Sequence, residues 1–528
     1  MAWHYNPVVS WDQKVEKYLS QALGHSEFTR ITHALSRPSL KQSVRVNTLR
    51  SKVEDVASKL NSSISLTSPA SSLHVHPQIP YILTLNGAGP RNVDYSPCNG
   101  REVVVNRMAG EAILRGAQVY CPGLLAASGG LAAGDLVGVS VALELPGSRW
   151  CGIPRGMVLD GEGKKRQKQQ RSCHEDNGVG GQGRRPGLGA EVELPDRTHL
   201  FLGMGRCVQG RRAMFRNQNG LAVEMVDRVY DVPSLNGILP GEIIAQALPS
   251  ILAAQVLAPL PGSRVLDMCA APGGKTTMMA QLMQDRGEVI ALDRTHAKVT
   301  EIRAYAASLG LTSIMAIKAD ATRAVKGWQS KDKTLSENPS DKPRQFGTPE
   351  EEMSSMNEDG GEAFEGFEPE SFDHIMLDPP CSALGLRPRL SHTWTLDQLY
   401  RMADYQKALI HAAVALLKPG GTLVYSTCTI NPAENEGNVK YILQRWGGRQ
   451  SRSCEEEAAL ACKMKLIPAE PVLGGPGLSI AECASMNSQD MPWLTPYDAD
   501  LVQRCDPSDR DGHDTIGFFI AKFKKEIL

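Results

Sequence analysis

Short apolar runs alternate with helix-length amphipathic segments from about residue 236 to the C-terminus. The runs are SRVLDMC (263–269), GEVIALD (287–293), SIMAIKAD (313–320), FDHIMLD (372–378) and GTLVYSTC (421–428), each bounded by Gly, Pro or polar residues. Continuous rather than alternating hydrophobicity marks strands covered on both faces, so the pattern predicts an α/β fold with a doubly wound, mostly parallel sheet. A helix over 396–417 is expected to stop at Lys418-Pro419-Gly420-Gly421, and TIGFFIAKF (515–523) reads as a last strand. Upstream, residues 101–235 interleave short strands with glycine turns, as in VVVN (103–106), QVYCPGLL (118–125) and GDLVGVSV (134–141). That is the texture of a small β-barrel. Residues 1–100 are mixed, with helical patterns near 12–35, a strand at VRVNTL (44–49) and a helix over 51–60. The expected organisation is an N-terminal α+β segment (1–100), a barrel (101–235) and an α/β domain (236–528).

Three stretches break this patterning. Residues 161–190 and 331–370 are rich in Gly, Pro, Ser and charge, and 468–512 is weakly patterned; all three read as poorly ordered surface insertions. GVGGQG at 178–183 matches G-x-G-x-x-G, but no strand precedes it and no helix follows, so it carries no dinucleotide site. Residues 331–370 hold twelve Asp/Glu against four Lys/Arg, a balance of −8. The formal net charge of −1 therefore leaves about +7 on the rest of the chain, which suits contact with phosphates. No run approaches the ~18 apolar residues of a membrane helix. The start, MAWHYNPVVS, lacks the basic-then-apolar pattern of a secretory signal, so a cytoplasmic protein is expected. The 12 cysteines include no C-x-x-C pair, so no metal site is expected and the thiols should be free.

Each parallel strand ends in a polar or glycine-rich step: CAAPGGKT, Asp293, Asp320, DPPCS and STCT in turn. Ligands of open α/β sheets bind beyond the carboxyl ends of the strands, so the five ends point to one site. Cys269, Ala270, Ala271, Pro272, Gly273, Gly274 and Lys275 form a loop at a helix start, where glycine lets backbone approach a ligand. Asp293 follows about twenty residues later, the spacing of an acid that grips a ribose diol, and Asp320 is placed for an adenine amino group. Three ligands compete. A P-loop needs G-x-x-x-x-G-K-T; Gly274-Lys275-Thr276 fit, but Cys269 stands where the first glycine belongs. A nicotinamide site needs G-x-G-x-x-G, which this loop lacks. S-adenosylmethionine, a nucleoside without phosphates that carries a sulfonium, needs neither and is favoured by acidic surroundings. Either acid alone is as readily a solvated strand end; the agreement of all five ends favours the cofactor.

Besides Cys269, two of the ends carry thiols, in Asp378-Pro379-Pro380-Cys381-Ser382 and Ser426-Thr427-Cys428-Thr429. Neighbouring strands lie ~4.8 Å apart, so both cysteines can open on one pocket beside the methyl donor. A lone cysteine is more often a buried structural thiol, but two beside a donor site reverse those odds. The pairing suits methylation at carbon-5 of cytosine, a carbon too weakly nucleophilic until a thiolate adds to carbon-6. A disulfide between them is the bland alternative, disfavoured in a reducing compartment. Chemistry alone does not say which cysteine attacks.

DMCAAPGGKTT (267–277), ALD (291–293), LDPPCSALG (377–385), LKPGGTLVYSTCTINPAENE (417–436) and the closing TIGFFIAKF resemble, in order, the motifs of the Sun/Fmu/Nop RNA (cytosine-5) methyltransferases. RVNTL (45–49) resembles their N-terminal signature. The resemblance implies a class I methyltransferase, Rossmann-like, with an antiparallel last strand, using S-adenosylmethionine. It implies Cys428 as the nucleophile, Cys381 as the residue that assists product release, and Asp378 as the holder of the base that also borders the cofactor. Cys269 through Lys275, with Asp293 and Asp320, become cofactor contacts. NRMAGEAILRGAQVYCPGL (106–124) followed by GDLVGVSV resembles an inserted PUA barrel, an RNA-binding module carried by one branch of the family. That branch implies a monomeric enzyme acting on a cytosine near the 3′ end of the tRNA acceptor stem, with the barrel gripping the CCA end and certain mRNA sites as further substrates. The rivals are a non-catalytic RNA-binding relative and an enzyme for rRNA or protein. Pro379 and Ala383 depart from the Ala and Gly common beside the first cysteine motif.

Overall fold

A computed structural model describes residues 7, 9–63, 73–144, 150–159, 200–235, 237–327, 364–447, 462–479, 493–509 and 512–527. The expectations for 161–190, for GVGGQG and for most of 331–370 lie outside the described residues. Two amphipathic helices, α1 (Gln13–Leu23) and α2 (His25–Leu35), come first. Asp12 caps α1 by accepting from the Lys14 and Val15 amides, and Gly24, at φ 86°, makes the turn between them. Their inward face, with Val15, Leu19, Phe28 and Leu35, packs on Leu384, Leu399 and Ile430 from the far end of the chain.

Strand β1 (Lys41–Val46), helix α3 (Val53–Ser63) and strands β2 (Leu73–Val75) and β3 (Ile82–Asn86) follow. Their sheet runs β11-β1-β3-β2, and β11 (Ile243–Ala245) comes from beyond residue 236. The first segment is therefore not closed at residue 100. A strand of three residues is too short to show a period, which hid this return in the sequence.

The middle region is one seven-stranded sheet of β4 (Glu102–Val105), β5 (Val119–Tyr120), β6 (Leu124–Ser128), β7 (Leu136–Val141), β8 (Met157–Leu159), β9 (Leu200–Cys207) and β10 (Leu221–Arg228). Its order is β5-β10-β9-β7-β4-β6-β8, with helices α4 (Arg107–Leu114) and α5 (Arg211–Arg216) alongside. Val103, Val105, Leu124, Val137, Leu202 and Val223 share one core. QVYCPGLL is not a single strand: Pro122 and Gly123 divide it into β5, a 3-10 turn and β6.

Helix α6 (Leu248–Leu257) leads into the large sheet. Parallel strands β12 (Arg264–Asp267), β13 (Glu288–Asp293), β14 (Ile314–Lys318), β15 (Phe372–Leu377) and β16 (Leu417–Thr427) are followed by β17 (Met464–Ile467), β18 (Gln503–Cys505) and β19 (Phe518–Lys525). The order is β14-β13-β12-β15-β16-β19-β17, with β19 antiparallel to β16. Helices α7 (Gly274–Leu282), α8 (His296–Leu309), α9 (Leu396–Leu416) and α10 (Glu436–Trp446) cover the sheet, and α11 (Pro496–Ala499) is a short turn beside β18. Helices α6 and α7 supply the core on one face, α9 and α10 on the other. The strand order reverses between β12 and β15, the switch point at which such sheets bind ligands.

Helix α9 ends at Leu416, where its stop was expected, and what changes is the start of the next strand and two of the stretches read as poorly ordered. Helix α9 passes straight into β16 at Leu417, so Lys418-Pro419-Gly420-Gly421 lies inside a strand; a register shift against β15 absorbs the proline and glycines. The acidic stretch is packed from residue 364 onward, where Phe367 meets Phe372 edge-on at 5.0 Å. The weakly patterned 468–512 contains α11, β18 and the buried Trp493 and Leu494, a core built from scattered contacts rather than a periodic face. Among the described residues no helix is long and apolar enough to cross a membrane.

Candidate active site

The loop after β12 turns into α7 at Gly273, whose φ of 107° suits glycine; a Cβ there would lie 3.3 Å from the Tyr305 ring. Asp293, ending β13, accepts from the Ala271 amide (3.3 Å) and the Arg294 amide (2.8 Å), which ties the loop to the next strand. Asp320, after β14, accepts from the Thr322 amide (3.0 Å) and hydroxyl (2.7 Å). Beneath the loop, Asp267 is buried and accepts from Thr276 Oγ1 at 2.7 Å, while its Oδ1 has no hydrogen-bond partner among the described residues. Burial pushes this carboxyl up to about 7, against the pull of the Thr276 bond and the Lys275 charge.

Burial, then the field of Asp267, Asp378, Asp293 and Asp320, pushes the Cys269 thiol well above its ordinary range. Four carboxylates thus ring one glycine-containing loop. The lysine that a P-loop would aim at phosphate is spent elsewhere: Lys275 Nζ sits 2.7 Å from Asp378 Oδ2. An acid-lined cradle with an orphaned carboxylate oxygen fits a nucleoside bearing a positive sulfonium and does not fit a polyphosphate.

The thiols stand at the next two strand ends. Leu377 of β15 pairs with Tyr425 of β16, so Asp378 and Ser426 are neighbours, and Ser426 Oγ donates to Asp378 Oδ1 at 2.7 Å. Burial pushes the Lys275 ammonium down, but the adjoining Asp378 charge outweighs it and holds the ammonium above its usual value. Cys381 Sγ lies 3.4 Å from Cys428 Sγ, and both residues are half-buried rather than lost in the packed interior. The hydrogen bond to Cys428, followed by burial and nearby negative charge, pushes the Cys381 thiol well up. Either sulfur can be the donor in this contact.

The structure brings all of the expected residues around one rim. Cys269 to Gly274, Asp293 and Asp320 stand on the side expected to take the cofactor, Cys381 and Cys428 on the other, and the Lys275–Asp378 pair lies between them. Sequence reasoning missed the layer underneath. Glu434 accepts from the Ser382 amide (3.0 Å), Asn431 Nδ2 (2.9 Å), Gln406 Nε2 (2.9 Å) and the Ser382 hydroxyl. Tyr425 OH donates to the Glu434 carbonyl at 2.6 Å, and the Gly385 amide donates to the Cys428 carbonyl at 3.0 Å, lacing the two cysteine loops together. The signal available was Gln406, a polar residue on the apolar face of α9.

Comparison with known proteins follows the same outline. The model of the 16S rRNA methyltransferase RsmB/F family matches residues 254–341 and 347–473. The chain is 36% identical to the rRNA (cytosine-C(5))-methyltransferase NOP2C of Arabidopsis thaliana, over 98% of this chain and 91% of the plant protein. It is 34% identical to the human tRNA (cytosine(72)-C(5))-methyltransferase NSUN6, over 98% of both. Among solved structures, NSun6 from Pyrococcus horikoshii with SFG is similar at a TM-score of 0.66 and 27% identity, covering 98% of this chain and 99% of that one.

Proposed function

The chain belongs to the S-adenosylmethionine-dependent RNA (cytosine-5) methyltransferases represented by the RsmB/F, NOP2 and NSUN enzymes, and from that premise we propose that it methylates a cytosine near the 3′ end of the tRNA acceptor stem. Human, mouse and Pyrococcus relatives that match nearly end to end are named for cytosine 72 of tRNA, which supports this substrate. The seven-stranded region 102–228 is our candidate for the PUA-like module that would grip the CCA end. Accessible mRNA cytosines belong to the same reading, as do a monomeric state and a cytoplasmic setting. Ribosomal RNA is the second substrate reading, favoured by the name of the plant relative.

The 3.4 Å pair of Cys381 and Cys428 beside the glycine loop carries the chemistry. Cys428 adds as thiolate to carbon-6 of the cytosine, and the ring electrons shift towards carbon-5. S-adenosylmethionine, held by Cys269 to Gly274, Asp293 and Asp320, supplies the methyl group; SFG in the archaeal relative is an analogue of it. Asp378, braced by Lys275 and Ser426, orients the base by accepting from its exocyclic amine, and the Lys275 charge offsets the electrons gained by the ring. A base then takes the carbon-5 proton and the carbon–sulfur bond breaks. Cys381, proton in place, donates to the departing sulfur of Cys428 and eases its release.

Transfer of labelled methyl to intact tRNA, CCA-trimmed tRNA and ribosomal RNA tests this. Transfer to tRNA that is lost on trimming supports the acceptor-end substrate. Equal transfer to trimmed tRNA, or transfer to ribosomal RNA alone, overturns it, and no transfer to any RNA returns the non-catalytic reading.

A further inference from the structure

The chain that follows Cys381 leaves the large sheet and plugs into the middle region. Leu390 is fully buried, and its neighbours are the core residues of the seven-stranded sheet. The Leu390 amide donates to Glu111 Oε1 at 3.1 Å, and Arg389 Nη1 lies 3.2 Å from Glu111 Oε2. Next to it, Ser391 Oγ donates to Glu144 Oε2 at 2.8 Å. Arg107 bridges the two carboxylates, 2.9 Å from Glu111 and 2.8 Å from Glu144. Two carboxylates of the RNA-gripping region thus hold residues 389 to 391, a short reach along the chain from Cys381.

The intervening segment has little slack. The Gly385 amide donates to the Cys428 carbonyl at 3.0 Å, and its own carbonyl accepts from Gly517 at 2.8 Å. A Cβ on Gly385 would fall 2.1 Å from the Gly517 oxygen, so the backbones touch. Arg387 is buried and donates to the carbonyls of Arg37 (3.1 Å), Pro38 (3.3 Å) and Thr515 (3.1 Å), and to Asp514 at 2.6 Å. Joining two regions needs only apolar contact; a buried carboxylate such as Glu111 adds little stability and demands one geometry.

We propose that Glu111 is a positioning residue for Cys381. By fixing Arg389 and Leu390 it sets the register of the strap that begins at the thiol, so the RNA-gripping region and the releasing cysteine move as one unit. The inference rests on the release role given to Cys381 above.

The test uses the full-length enzyme and a tRNA transcript, with covalent protein–RNA adduct measured on denaturing gels after turnover. Cys381→Ala should accumulate adduct. Glu111→Ala should also accumulate it, with kcat lowered about 10- to 100-fold, as expected for a misplaced catalytic group, while KM stays within about twofold. Glu111→Gln, which retains an acceptor for the Leu390 amide, should fall between Glu111→Ala and the parent. A purely structural role would lower melting temperature, cofactor affinity and turnover together without adduct, and that result overturns the proposal. Should Glu111→Ala fail to fold, Arg389→Met breaks the same contact from the other side, and no adduct there overturns it equally. Adduct from Cys381→Ala alone refutes only this inference; absence from Cys381→Ala too refutes the cysteine roles beneath it.

Discussion

Asp267 offers a quantitative handle on the cofactor side of the site. Its carboxyl is buried, one oxygen takes the Thr276 hydroxyl, the other takes nothing among the described residues, and burial lifts its pKa to about 7. In the unfolded chain an aspartate titrates near 3.9, about three units lower. The folded form therefore binds the extra proton, and this group contributes stability that is complete below about pH 4 and is lost as pH rises through about 7. At about 1.4 kcal/mol per unit, the full span is about 4 kcal/mol. Between about pH 5.5 and about pH 8 the loss is about 2 kcal/mol. Asp267→Asn removes the charge and keeps an acceptor for Thr276, so its stability should lack this component. Urea unfolding of parent and variant at both pH values measures it: the variant should gain about 2 kcal/mol relative to the parent on going to the higher pH. Parallel curves would show that Asp267 is not held protonated by burial, which contradicts the upward shift.

Lys275→Met should destabilise by about 2 kcal/mol, less than a fully enclosed pair because 28% of the Asp378 side chain is exposed. It should also cut turnover about 100-fold; unchanged turnover in a methyl-transfer assay contradicts the bracing role. Ala383, beside Cys381, sits at φ 53°, where a non-glycine residue pays about 1–2 kcal/mol. Ala383→Gly should therefore gain about 0.5–1 kcal/mol after glycine's entropy is counted, read from the urea midpoint, and a loss contradicts the strain.

The sequence made the strand ends legible because ligand-facing residues in open parallel sheets follow the carboxyl ends of the strands. Asp293, Asp320, Asp378, Cys381 and Cys428 all end or follow parallel strands, and continuous apolar runs mark such strands plainly. What could not be read came from partners distant in sequence. Lys275 looked like a fragment of a phosphate loop until Asp378 appeared beside it. Glu434 and Gln406 carry no local signal for a bond between them. Leu390 reads as an ordinary loop leucine, and only the folded chain places it in another region's core. The end of α9 fell where the sequence placed it, but the start of β16 did not: proline and paired glycines usually stand outside a strand, and here they form an irregularity within it.

The central claim is that the sulfur of Cys428 attacks carbon-6 of the target cytosine, and a substrate carrying 5-fluorocytosine at that position tests it most directly. Fluorine on carbon-5 leaves no proton to remove after methylation, so the carbon–sulfur bond cannot break and the adduct persists. Digestion and mass spectrometry then locate the modified peptide. The account predicts an adduct on the peptide containing Cys428, formed in the presence of S-adenosylmethionine and absent from Cys428→Ala. An adduct on the Cys381 peptide, or none at all from an enzyme that methylates the unmodified RNA, would contradict it.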